Sequence, residues 1–90
     1  MKKVLHITPH LSTGGLPQFL LSLLRSTNDL VENYCVEYAC HSLDFVVQRN
    51  QVIELMTSRF HSLPEDKFHL LTLIKEIKPD VIHFQEFPEY

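Results

Sequence analysis

Two kinds of hydrophobic pattern alternate along this chain, and that alternation limits its fold more than any other feature. Lys3-Val4-Leu5-His6-Ile7 is a short β-branched and apolar run stopped by Pro9, which reads as a strand. Leu16, Phe19, Leu20, Leu23 and Leu24 then recur at helical spacing, and Leu21 widens the stripe. Pro17 suits a first helical turn, and Asn28-Asp29 marks the end. From Glu32 to Cys40 the period returns to two. Tyr34, Val36, Tyr38 and Cys40 share one face; Cys35, Glu37 and Ala39 share the other. In residues 43–57, Phe45, Val46, Val52, Ile53 and Met56 fit a helical stripe, although Val46-Val47 could prolong a strand. We read a helix over 46–57 and a short strand from Arg59 to Ser62. Pro64-Glu65-Asp66 opens a last helix, and Lys75 and Lys78 close it, so both ends complement the helix dipole. Its expected buried stripe is Leu70, Leu71, Ile74 and Ile77. Pro79 stops it, and Asp80-Val81-Ile82-His83-Phe84 is an apolar run of the kind found in buried parallel strands.

The resulting order, β-α-β-α-β-α-β, predicts an α/β fold: a three-layer, Rossmann-like parallel sheet of about four strands, in the order 3-2-1-4, with helices on both faces. Open sheets of this kind normally run to five or six strands, each followed by a covering helix. Only Gln85-Glu86-Phe87-Pro88-Glu89-Tyr90 follows the fourth strand. The expectation is a single partial amino-terminal domain over residues 1–90, with an uncovered sheet edge through which the chain could self-associate.

Composition narrows the partners. Residues 1–79 hold eight acids and eight bases, and Asp80, Glu86 and Glu89 supply the net charge of −3. No basic face is available to neutralise a phosphate backbone, so nucleic acid is not an expected partner. The apolar runs fall far short of the roughly 20 residues that cross a bilayer, and Met-Lys-Lys leads too soon into Pro9 for a signal peptide. Cys35 and Cys40, if on one strand, point to opposite faces about 16 Å apart, beyond the reach of a disulfide. Free thiols in a reducing cytoplasm are the simpler expectation.

The feature richest in chemistry is the loop after strand one. Gly14-Gly15 lets a backbone approach a ligand without a Cβ in the way, and the helix start at Leu16-Pro17 offers unpaired N–H groups to an anion such as phosphate. The same two glycines could merely turn the chain. Neither GxGxxG nor GxxxxGK[ST] is present, so no nucleotide is specified. His10, beside Ser12 and Thr13, could donate to a substrate hydroxyl or phosphate, or could be an idle loop residue. Glu86 and Glu89, past strand four at the same edge, could bind sugar hydroxyls or act as a base, against the blander reading of a solvated pair. Six histidines invite a metal, but His6 and His10 share no helix face, and His41, His61 and His69 lack partners at ligand spacing. His6 and His83, each inside a strand, are expected to be buried and satisfied by the backbone. No metal site is expected. Cys35 and Cys40 have no nearby histidine and read as structural.

Lys3-Val4-Leu5-His6-Ile7, Gly14-Gly15-Leu16 and Lys78-Pro79-Asp80-Val81-Ile82-His83, in that order and spacing, resemble the amino-terminal part of a GT-B glycosyltransferase of the group 1 type. The resemblance covers all 90 residues. It implies transfer of a sugar from a nucleotide-sugar donor to an acceptor, usually with retention, with no metal and no cofactor, in a cleft between two Rossmann-like domains. Under it, Gly14, Gly15 and Leu16 approach the donor phosphates, and His10, Ser12 and Glu86 are candidates for acceptor contacts. Departures are specific. Pro17 stands where the family often carries a Glu, no two glutamates are eight apart as in the donor-binding E-x7-E element, and no DxD motif exists. That donor element belongs to a carboxyl-terminal domain absent from these residues, so the chain by itself is expected to be inactive. The rival reading is a small flavodoxin-like binding or regulatory module without catalysis.

Overall fold

A computed structural model describes residues 1–11, 16–38, 47–63 and 67–84. Strand β1 (Lys3–Thr8) leads to helix α1 (Leu16–Thr27), then β2 (Glu32–Glu37), helix α2 (Val47–Met56), a 3₁₀ turn (Thr57–Arg59), β3 (Phe60–Ser62), helix α3 (Lys67–Ile77) and β4 (Val81–Phe84). The four strands form one sheet in the order β3-β2-β1-β4, and every pairing is parallel. The expected α/β class and strand order are therefore found. No helix among the described residues is long and apolar enough to cross a membrane.

Parity of the strands divides the core in two. Leu5, Ile7, Val36 and Tyr38 point to one side and pack under Leu70, Leu73 and Ile77 of α3. Cys35 points to the other side, where Leu20, Leu21 and Leu24 of α1 meet Val52 and Met56 of α2, with Leu11 completing the cluster. The face assignment read for Cys35, Val36 and Tyr38 holds, while Cys40 lies outside the described residues.

Two expectations on burial and one on strand length are corrected. Phe19, placed in the α1 stripe, is 55% exposed. Leu71, placed in the α3 stripe, is 49% exposed, and Leu73 is buried instead. Successive residues on a helix are about 100° apart, so Leu70 and Leu71 cannot both face the same sheet. The stripe that meets Leu5, Ile7 and Val36 is Leu70, Leu73 and Ile77. β2 ends at Glu37 rather than Cys40 as far as the description reaches.

Both ends of the β3–α3–β4 arm are tied by local chemistry. Thr57, with φ 54, ends α2 in a left-handed conformation, and Lys78, with φ 53, does the same for α3. The Lys78 N–H returns to the Ile74 carbonyl at 2.9 Å, a left-handed helix cap. Pro79 then prevents the helix from resuming. Beyond it, the backbone N–H of Lys3 donates to Asp80 Oδ2 at 2.8 Å, and Asp80 N–H donates to the Lys3 carbonyl at 2.8 Å. This reciprocal pair fixes where β4 begins against β1.

Candidate functional site

β1 is followed by a crossover to β2 on one side, whereas β4 arrives on its other side. The strand order reverses there, and the crevice outside the carboxyl ends of β1 and β4 is where open α/β sheets take ligands. Thr8 ends β1 fully buried; its hydroxyl donates to the His10 carbonyl at 3.3 Å, and its own carbonyl accepts from Tyr38 N–H at 3.2 Å. These bonds pin the chain as it leaves the sheet. His10 follows, with a buried Nδ1 that has no hydrogen-bond partner among the described residues. Leu11 is anchored in the core between α1 and α2. α1 opens at Leu16 with no acid in its first turn, so no side chain there offsets the positive end of the helix dipole. Among the described residues, a buried nitrogen without a partner and a helix first turn without an acid thus lie on the same β1–α1 connection.

Of the residues singled out from sequence, His10 lies at this edge and Leu16 opens α1. Ser12, Gly14, Gly15, Glu86 and Glu89 lie outside the described residues, as do His41 and Cys40.

Two polar clusters were not foreseen. Glu37, at the carboxyl end of β2, is completely buried. Arg49 of α2 meets it through Nη2 at 2.6 Å and Nε at 3.1 Å, and the Ser62 hydroxyl donates to the same carboxylate at 2.8 Å. Arg49 also stands over the Phe60 ring, 5.7 Å from its centroid. A carboxylate on the strand face that α2 covers has to find a cation from that helix. The signal was legible in principle: Glu37 shares its face with Cys35, and Arg49 is the one arginine in the helix that follows.

The second cluster corrects the reading of His6 and His83 as satisfied by the backbone. Parallel register sets the two side by side, with Nδ1 atoms 3.1 Å apart. His6 Nε2 lies 2.8 Å from Asn33 Oδ1, and Asn33 Nδ2 donates to the Thr27 hydroxyl at 3.1 Å. Burial holds His6 below its ordinary pKa of 6.5; the Asn33 bond opposes this and the neighbouring His83 adds to it. A cavity of about 350 Å³ opens beside the pair, walled by Val4, Leu23 and Val31.

Cys35 is buried and not disulfide-bonded. Burial, with a further contribution from Glu37, pushes its thiol far above the usual range, which leaves it inert as a nucleophile. On the opposite face a depression of about 360 Å³ between β3 and α3 is lined by His61, His69, Thr72 and Glu76, on the far side of β2 from the strand-order reversal.

In comparisons with known proteins, no family model, no curated protein and no solved structure matches this chain.

Proposed function

We propose that this chain is the acceptor-side, Rossmann-like part of a metal-independent GT-B glycosyltransferase, binding at its β1–α1 edge the diphosphate of a nucleotide-sugar. The observation that carries the reading is the reversal of strand order beside β1, where a helix start with no acid in its first turn and a His10 Nδ1 without a partner among the described residues lie on one connection. Leaving-group departure from a nucleotide-sugar builds negative charge on the diphosphate, and fixed N–H donors are the groups that stabilise it. In this reading His10, protonated at Nδ1, donates to a phosphoryl or acceptor oxygen, and the amides of Gly14, Gly15 and Leu16 line the phosphates. Ser12 and Glu86 are assigned to the acceptor hydroxyls. The remaining groups of the cleft come from a second domain, so the 90-residue chain alone transfers no sugar. A cytoplasmic location accompanies the reading, supported by the reduced, buried Cys35.

The test is a titration of the isotopically labelled full chain with nucleoside diphosphates and, separately, with flavin mononucleotide. Shifts of the His10 ring and of the Leu16 and Gln18 amides on addition of a nucleoside diphosphate are expected. Binding of the flavin alone favours the flavodoxin-like module without catalysis. Silence of those signals toward every diphosphate, or sugar transfer catalysed by this chain alone, overturns the proposal.

A further inference from the structure

The His6–His83 contact joins β1 to β4 through a pair of facing ring nitrogens, 3.1 Å apart. Tautomers are fixed from the far end of the cluster. The Thr27 hydroxyl donates its proton to the Leu23 carbonyl at 2.8 Å, so its oxygen can only accept from the Asn33 amide. That turns Asn33 Oδ1 toward His6 and makes His6 Nε2 the protonated nitrogen. Neutral His6, the form burial favours, therefore presents the lone pair of Nδ1 to His83. The rings meet edge to face, at 84° with centroids 5.3 Å apart.

We infer that His6 and His83 chelate a divalent transition-metal ion through their two Nδ1 atoms. Two imidazole nitrogens on one tetrahedral ion, each bonded at about 2.0–2.1 Å, stand about 3.3 Å apart. The two Nδ1 atoms stand 3.1 Å apart. A histidine that ligates through one ring nitrogen characteristically donates from the other to a fixed acceptor, and Asn33 Oδ1 is that acceptor for His6. Asn33 is itself 1% exposed and held by Thr27, so the ligand's orientation is set before any ion arrives. In the metal-free chain His83 Nδ1–H donates to His6. On binding, that proton leaves Nδ1 and one is regained from water at Nε2, so both rings enter the site neutral and no net proton is released.

Among the described residues no third histidine, thiol or carboxylate joins the pair. Among those residues the pair is thus an open two-ligand site rather than a closed four-ligand zinc centre. Its other positions fall to water or a small anion, admitted through the cavity that both rings line. Two imidazole ligands favour zinc, nickel or copper over magnesium or calcium. Because one ligand is on β1 and the other on β4, the ion would clamp the edge strand to the centre of the sheet. The inference is independent of the sugar-transfer proposal, since the pair lies on the α1 face of the sheet and needs no nucleotide.

The test uses the full chain titrated with Zn²⁺, with Mg²⁺ as the control. The unfolding temperature should rise with zinc and not with magnesium. The ¹⁵N resonances of His6 and His83 Nδ1 should move while the His6 Nε2 proton persists. His83→Gln, a change on a half-buried edge strand, should weaken zinc binding by at least about tenfold. His61→Asn/His69→Asn should bind as the parent chain does. Zinc shifts confined to other histidines, unchanged Nδ1 resonances, or full affinity in His83→Gln would each overturn it. The resonance measurement on the parent chain decides the matter even if a variant fails to fold.

Discussion

Glu37–Arg49–Ser62 and His83–His6–Asn33–Thr27 are two polar clusters built around buried Glu37 and buried His6 and Asn33 on the same face of one sheet, and they solve the same problem in opposite ways. At the carboxyl end of β2, full charge is retained, and a cation from α2 comes down to neutralise it. On β1 and β4, charge is given up, and a chain of neutral donors and acceptors runs from ring to ring to amide to hydroxyl. The difference follows from the residue types. A carboxylate cannot be protonated cheaply near neutral pH, so it demands a partner charge, whereas an imidazole simply stays neutral. The ionic cluster fixes how α2 and β3 sit on β2. The neutral one joins β4 to β1 and leaves that junction sensitive to protons and, by the inference above, to metal.

The comparison can be broken most forcefully at Arg49. Arg49→Leu strands the completely buried Glu37 carboxylate, and urea unfolding should show a loss of about 3–5 kcal/mol, enough to unfold much of a 90-residue chain. Glu37→Met/Arg49→Leu together should recover most of that loss, because the cost lies in the unpaired charge. A double variant as unstable as the single one would mean that the pair acts through packing.

Acid should act on the other cluster. Burial keeps His6 below 6.5 in the fold, so above pH 6.5 folded and unfolded chains alike carry it neutral and its contribution is complete. As pH falls below 6.5, the unfolded chain takes up a proton that the fold refuses. Stability then declines by up to about 1.4 kcal/mol per pH unit until the folded pKa is reached. Urea midpoints measured between about pH 7.5 and 5 should show this slope, and His6→Asn should flatten it. Removing Ser62 sharpens the contrast at the smallest scale. Its hydroxyl is one of several donors to Glu37 and the residue is solvent-exposed, so Ser62→Ala should cost only about 1 kcal/mol by the same measurement.

Much of the scaffold was legible before any coordinates. Strand one ran one residue longer than its apolar run, to Thr8, and strand four one residue shorter at its start; α2 fell at Val47–Met56 inside the expected 46–57. What failed was phase and, at β4, burial, rather than element type: Val81 and Ile82 of the strand expected to be buried are 48% and 38% exposed. Leu70-Leu71 and Leu73-Ile74 form two adjacent apolar pairs, and only the underlying sheet selects which leucine of the first pair is covered. For the candidate site, His10 and Leu16 were readable because loop-to-helix chemistry is local. The His6–His83 pair was not, because the two residues are 77 apart in sequence and meet only through strand order and register.

Hydrophobic period, proline stops and turn residues determined the number, kind and order of elements, since these depend on neighbours within a few positions. Tertiary structure decided which charges and imidazoles would share a face, at what register, and therefore which of them needed a counter-ion and which a neutral partner. Those outcomes depend on burial and on contacts between distant residues, quantities that have no value until the chain has closed on itself.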